Sequence, residues 1–495
     1  MTSFAEACGA ADAARVAACA ALPGRLRDEG IERVRIGWCD LHGALRGKTL
    51  STAALSGALA NGVGMVSTIL LKDTSDRTAY RVFEPGAVAS LPGFGFANNL
   101  LLLPDPASFR ALPWAPGTGW LRAEAWFDDA TPVPIDTRFV LRQALARLAA
   151  AGYGLKCGLE IEFHIYRLAH PPHADPSLDP QRAAWPGEAP PLTMVHPGYN
   201  LLAEAWADRS DEALRIVEQT AQGLGLPLLS LEIELGPSQF EAVFAATDAL
   251  TAADQMVAFR NGVTQALRRA GYHASFVCLP PFANVMASGW HLHQSLVDLK
   301  TGANAFCRDA PAEGSGGDDA RHTLSSAGDA WLAGLLAHGR GMAVFCAPTI
   351  NAYGRFRPNA MAPNAVLWGR DNRGAMLRVL GRAGDPATRI ENRIGEPAAN
   401  PYLYLAAQIH AGLDGLARGL SAPLATAAPY GDADTRLPAS LGEALAALAA
   451  DPVLVAGFGA QLVDWLTRVK RFELARHDEA DDKDDWQARE YLGRF

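Results

Sequence analysis

The chain has 495 residues, with 44 Lys+Arg against 53 Asp+Glu and a formal charge of −9. At about 150 residues per domain, that length predicts more than one domain and a large buried core. A composition 49% apolar and 20% charged is that of a folded globular chain, and its acidic balance excludes a surface built to neutralise nucleic-acid phosphates. No apolar run approaches the length of a membrane span, about 20 residues. Glu6, Asp12 and Arg15 break the alanine-rich start, so it is not read as a secretory signal. The seven cysteines are scattered, with no C-x-x-C pair, and read as reduced thiols of a cytoplasmic protein.

In chain order, Ala10–Ala21 predicts a helix, interrupted at Pro23-Gly24 before Gly30 stops it. Arg33–Trp38 alternates as a half-buried strand, Asp40–Gly43 turns, and Ala44–Leu50 returns as the second strand of a hairpin. Leu100–Leu103 is a short apolar strand. Pro113–Gly117 reads as a linker, which puts a boundary near residue 120 and divides the chain into 1–120 and 121–495. Beyond it, Arg138–Ala151 and Asp248–Ala270 have helical patterns, while Gly158–Tyr166 and Leu228–Leu235 alternate at period two. His170–Pro191 and Asp309–Gly328 are loops on composition, either surface insertions or lids. Asp478–Asp485 is a solvated charge run.

Four predicted strands place chemistry on one face. Glu160, Glu162 and His164 oppose Leu159, Ile161, Phe163 and Ile165; Glu232 and Glu234 oppose Leu231, Ile233 and Leu235, with Glu241 close behind. His291, His293 and Ser295 share a third face, and Arg389, Glu391 and Arg393 a fourth. One such strand is ordinarily a solvated face. Four that repeat carboxylates are different, because converging carboxylates repel unless a cation lies between them. Carboxylates with one or two imidazoles suit Mg²⁺ or Mn²⁺, and neighbouring arginines suit an anionic substrate or phosphate. The pattern points to phosphoryl transfer on the polar face of a sheet. Phosphate-cradling glycine loops and a nucleophile elbow are missing, so a nucleotide would be held by metals and arginines.

In this order, the segments resemble the glutamine synthetase family over nearly the whole chain. Val34–Lys48 looks like its N-terminal hairpin, Leu112–Trp114 its interdomain segment and Gly158–Phe163 its Gly-x-Glu-x-Glu-Phe element. Glu234–Glu241, Ser288–Ser295, Asn372–Arg378, Arg389–Arg393 and Asn400–Tyr402 match further motifs in register. The resemblance implies an α+β protein: an N-terminal β-grasp domain and a catalytic domain with a curved antiparallel sheet flanked by helices. It implies one metal on Glu162, Glu234 and Glu241, and another on Glu160, His291 and Glu391, with two or three ions of Mg²⁺ or Mn²⁺ per site. ATP, the co-substrate, would lie along His293, Ser295 and Arg389, its phosphates on Arg373 and Arg378. L-glutamate would meet Arg355, Arg373, Arg393 and the strip at Ala287. Members assemble as stacked hexameric rings, a dodecamer with each site shared between subunits, so Asn99 would face a neighbour's metals.

The departures from the family are selective. Where ammonia-using members carry Ser-Asp, this chain has Asn98-Asn99, and their flap glutamate is replaced in Met361-Ala362-Pro363. Losing both carboxylates removes an ammonium site, while methionine suits an apolar substituent. The expected reaction is therefore ATP-dependent joining of the glutamate γ-carboxylate to an aryl- or alkylamine through γ-glutamyl phosphate. Such a carbon–nitrogen ligase would be of the γ-glutamylanilide or γ-glutamylalkylamide synthetase type. The alternatives are an ammonia-using glutamine synthetase, a γ-glutamylpolyamine synthetase, and a non-catalytic structural relative, which would have lost metal ligands. Two further departures touch the acid substrate: Met286-Ala287 replaces Asn-Gly, and Leu279–Pro281 lacks the usual lysine. Ser238 replaces a turn glycine, which is minor at negative φ and disruptive at positive φ.

Overall fold

A computed structural model describes residues 2–170, 179–358, 361–431, 433 and 435–495. The first sheet comprises β1 (Arg33–Cys39), β2 (Leu45–Ser51), β3 (Val63–Val66), β4 (Asn99–Pro104), β5 (Arg110–Ala111) and β6 (Thr118–Trp126). Its order is β2-β1-β6-β4-β3, with β5 on β6. The β1–β2 hairpin closes as its sequence predicts, from Arg33↔Ser51 to Cys39↔Leu45. At the turn, Asp40 Oδ1 accepts the amides of His42 and Ala44 at 3.0 Å. Because β6 runs parallel to β1 and antiparallel to β4, this sheet continues through residue 126, past the boundary expected near 120. We propose that the division between the two units lies in 127–136. Pro23 also differs from expectation: the helix Ala13–Asp28 passes through it, anchored by buried Leu22 and Leu26 on either side. Lost core contacts there outweigh the one backbone bond a proline removes.

The second sheet carries β7 (Tyr153–Leu168), β8 (Leu192–Met194), β9 (Leu228–Ile233), β10 (Gln239–Asp248), β11 (Tyr272–Ser275), β12 (Trp290–Asp298), β13 (Trp368–Arg370), β14 (Leu377–Leu380) and β15 (Arg389–Gly395). It is nine-stranded, in the order β13-β14-β15-β12-β7-β10-β9, with β8 and β11 on the far end of β7. All pairs are antiparallel except β13 with β14. The apolar face of β7 packs under the helix Ala249–Arg269, where the Phe163 ring stacks on Phe276 at 5.2 Å and meets Phe259 edge-on at 5.8 Å. The opposite, polar face is thereby left to the site.

The two units share one apolar core. Buried Arg260 donates to the carbonyls of Gly43, Pro397 and Ala399, and Asn400 Nδ2 donates to those of Asp40 and Leu41. The hairpin turn is thus stapled to the start of the helix Pro401–Arg418, which Asn400 also caps. Of the His170–Pro191 loop, residues 171–178 lie outside the described residues. The Asp309–Gly328 stretch is pinned, since Arg308 donates to Ala310 and Leu324 carbonyls and Ser325 caps a helix beginning at Ser326. Among the described residues no single helix is long and apolar enough to cross a membrane. All seven cysteines are free.

Candidate active site

Sheet register builds the site. Across the second sheet, Arg378 pairs with Glu391, Glu391 with His293, His291 with Glu160, Glu162 with Glu241, and Glu241 with Glu232. Directly opposed residues share a face, so strands β14, β15, β12, β7 and β10 deliver one acidic ladder with imidazoles at its centre. Glu234 joins it from the β9–β10 turn, where its amide donates to Gln239 O at 3.0 Å.

The ligand atoms converge around His291. Its Nδ1 lies 3.4 Å from Glu160, 3.8 Å from Glu241 and 3.9 Å from Glu391, and its Nε2 lies 3.6 Å from Glu162. Two groups have donor atoms mutually within 4.8 Å: Glu160, Glu241 and His291, and Glu160, His293 and Glu391. Compared with the expected partition, Glu160 stands in both groups and His293 stands beside Glu391. Arg389 Nε donates to His293 Nδ1 at 3.0 Å, which leaves the ring proton on Nε2, 2.9 Å from Glu160.

The electrostatics describe a cluster short of positive charge. Burial, then the charges of Glu162, Glu160 and Glu234, push the Glu241 carboxyl up to about 10. Burial and Glu234 raise Glu162 to about 7, and burial raises Glu234 as well. For Glu160, burial is outweighed by hydrogen bonds from His291 and His293, which hold it well below the carboxylate range. Glu391 is also held low against its burial, by His291 and Arg393. Burial and Arg393 keep His291 neutral, with its pKa down at about 4. Glu241 Oε1 and His291 Nε2 are buried with no hydrogen-bond partner. Carboxylate oxygens, a neutral imidazole and orphaned acceptors form a donor set that fits a hard or borderline divalent cation.

The arginines line one side. Arg378 donates to Glu391 at 2.9 Å and to Asp371, and Arg393 pairs with Glu391 while its Nε donates to Arg373 O at 2.9 Å. Arg355 Nη1 is fixed on Arg393 O at 2.9 Å and Gly395 O at 3.3 Å, and the guanidinium rests on Gly289. A Cβ at Gly289 would lie 2.3 Å from Arg355 Nη2, so a larger residue there would displace the guanidinium. The Arg373 side chain is exposed, Ser295 is half-buried on β12, and Ala287 O accepts from Gln239 Nε2 at 3.2 Å. Asn99, in contrast, is exposed at the start of β4 in the first sheet, opposite Val66.

Several neighbours escaped the sequence reading. Gln239 Nε2 bonds Ser288 Oγ at 3.0 Å and approaches Glu162, whose Oε2 also accepts Gly289 N at 2.6 Å. Both residues lie inside the recognised motifs, so their signal was present. His164 shares the polar face of β7 but is sealed off, with Nδ1 3.3 Å from Ser288 Oγ and its ring stacked on Tyr166. Tyr430, which had no sequence signal, donates to Ala362 O at 3.2 Å and feels the charges of Arg393 and Arg355. Ser238 has φ +57 and is fully buried, and its hydroxyl accepts Val195 N at 2.8 Å, which offsets the left-handed strain.

Residues 134–491 match the glutamine synthetase catalytic domain. The chain belongs to the glutamine synthetase family. It is 37% identical to the gamma-glutamylanilide synthase of an Acinetobacter species over 94% of this chain and 93% of that one. It is 30% identical to the gamma-glutamylethanolamide synthetase of Streptomyces coelicolor, over 94% and 93% respectively. A solved GmaS–ADP complex superposes with a TM-score of 0.73 at 28% identity, covering 94% of this chain and 98% of its own. As a glutamine synthetase family member with an α+β fold, the chain is an ATP-dependent carbon–nitrogen ligase.

Proposed function

We propose that this enzyme joins the γ-carboxylate of L-glutamate to an amine bearing an apolar aryl or alkyl substituent, through a γ-glutamyl phosphate formed from ATP. The observation that carries the choice of amine is Met361: 60% exposed, at φ +55, with its carbonyl 3.5 Å from Arg393 Nη2. An apolar side chain stands there where ammonia-using relatives place a carboxylate, and Tyr430 braces the adjoining Ala362 carbonyl. An arylamine is already unprotonated at neutral pH, so it needs a surface to lie on and no acid to deprotonate it.

Glu162, Glu234 and Glu241 would hold one divalent cation, and Glu160, His291 and Glu391 a second, Mg²⁺ or Mn²⁺ in each case. Bound there, the ions supply charge neutralisation at the transferring phosphoryl oxygens. Arg355 and Arg393 orient glutamate so that its side-chain carboxylate attacks in line, and Arg373 and Arg378 take the charge that develops on the phosphates. His293, Ser295 and Arg389 line the nucleotide, while Ala287 lines the glutamate. The amine, in its unprotonated form, then attacks the acyl carbon and displaces phosphate, its surplus proton passing to solvent, while Met361 gives its apolar substituent a surface to lie on. Exposed Asn99, on the other sheet, is read as facing a neighbouring copy in a homo-oligomer of stacked hexameric rings.

The test is ATP- and glutamate-dependent phosphate release across ammonia, methylamine, ethanolamine, longer alkylamines, aniline and putrescine. Aniline or an apolar alkylamine should give the highest kcat/KM. Stimulation by ammonia alone would replace this reading with glutamine synthesis.

A further inference from the structure

The turn Asn351–Arg355, which brings Arg355 to the site, is held by a side chain with no part in the scheme above. Asn351 is only 8% exposed. Its Oδ1 accepts Leu279 N at 2.7 Å, and its Nδ2 donates to Leu279 O at 2.8 Å and to Gln487 Oε1 at 3.0 Å. Beside it, Ile350 N donates to the Tyr491 hydroxyl at 3.2 Å, and that hydroxyl donates to buried Glu473 at 2.5 Å.

Three parts of the chain therefore meet on one carboxamide. Leu279 opens the segment that carries Met286-Ala287 and ends at Ser288, whose amide returns to Cys278 O at 2.7 Å. The next residue, Gly289, is the one on which Arg355 rests. Gln487 and Tyr491 belong to the C-terminal segment, which Glu490 ties to Arg476, Thr74 and Ser75. Only an amide can accept from Leu279 N while donating in two directions; a carboxylate loses both donations and a hydroxyl has one proton to give.

We propose that Asn351 is a positioning residue for the acid substrate, and that the C-terminal segment sets the site's hold on glutamate through Gln487 and this amide. The inference rests on the assignment of Arg355 to the glutamate. Loosening the Gln487 contact lets the Asn351 carboxamide, still bonded to Leu279, shift together with the 279–289 strip and the Arg355 turn, which costs glutamate binding while the nucleotide side, on β12 and β15, stays in place.

The deciding experiment compares steady-state kinetics of Gln487→Ala, Gln487→Glu and Arg355→Lys in the full-length enzyme. Gln487→Ala should raise the glutamate KM about fivefold, the loss of one hydrogen bond, with the ATP KM unchanged. Gln487→Glu, which keeps the accepting oxygen, should restore the wild-type value. Asn351→Ala should raise the glutamate KM further, but it strands the Leu279 backbone, so the half-buried Gln487 carries the test. If Arg355→Lys leaves the glutamate KM unmoved, the assignment of Arg355 fails. If Arg355→Lys raises it while Gln487→Ala does not, or moves both KM values together, the positioning role is overturned.

Discussion

Glu490 and Glu241 are both buried carboxylates, 1% and 8% exposed, in surroundings of opposite kind. Glu490 receives Arg476 Nη1 at 3.0 Å and Nη2 at 2.7 Å together with the hydroxyls of Thr74 and Ser75. Against its burial, those bonds hold it below the carboxylate range. Glu241 faces other acids, with one oxygen unpartnered, and keeps its proton to about pH 10. A buried acid that the fold satisfies from within is a joint, here between the loop Asp73–Arg77 and the C-terminal segment. One left short of positive charge is what the proposed cation site would need.

Substitutions should separate the two kinds of acid. Glu391→Ala removes a proposed metal ligand and the partner of both Arg378 and Arg393, and should cut phosphate release about a thousandfold, some 4 kcal/mol of barrier. Near-normal turnover would remove Glu391 from the site. Glu490→Ala leaves Arg476 with Asp73 as its acidic partner and takes the acceptor from the Thr74 and Ser75 hydroxyls, and should destabilise the fold by about 2 kcal/mol in urea unfolding, with or without metal. Glu241→Gln should instead raise the Tm of metal-free protein while reducing turnover.

The pH dependence sharpens the contrast. Glu162, raised to about 7, and Glu241, raised to about 10, bind protons in the metal-free fold where the unfolded chain, near 4.5, has lost them. The folded state therefore binds more protons, and metal-free stability falls as pH rises from near 5 through 7 and onward. A cation must displace those protons, so Mn²⁺ affinity should rise about tenfold per pH unit for each proton released. Calorimetric titrations at pH 6 and 8 with equal affinities would contradict the charge-deficient cluster. Met361→Glu should lower kcat/KM for aniline about tenfold and raise that for ammonia, measured across the same amines. Ser238→Gly trades left-handed strain against the bond to Val195 N, so its effect on stability should stay below about 1 kcal/mol.

Period-two patterning made the ladder legible: glutamates and histidines alternate with aliphatics along β7, β9 and β12, and the structure places them on one face as read. Strand order and register were not legible, because they depend on which distant strands pair. That is why Glu160 stands between two groups and why β6 belongs to the first sheet. Asn351 and Tyr430 stayed hidden for a related reason. Each acts through a hydrogen bond to a backbone atom or side chain remote in the sequence, and no local periodicity marks such a contact. Pro23 shows the converse, a strong local signal overruled by the core on both sides of it.

The ladder's strands come from widely separated stretches of the chain, with Glu160 early and Glu391 late. A nascent polypeptide that has already made β7, β10 and β12 lacks β15, and with it Glu391, Arg389 and Arg393. The ladder is therefore incomplete until β15 has been made, and it closes through the most non-local pairings, which form slowly.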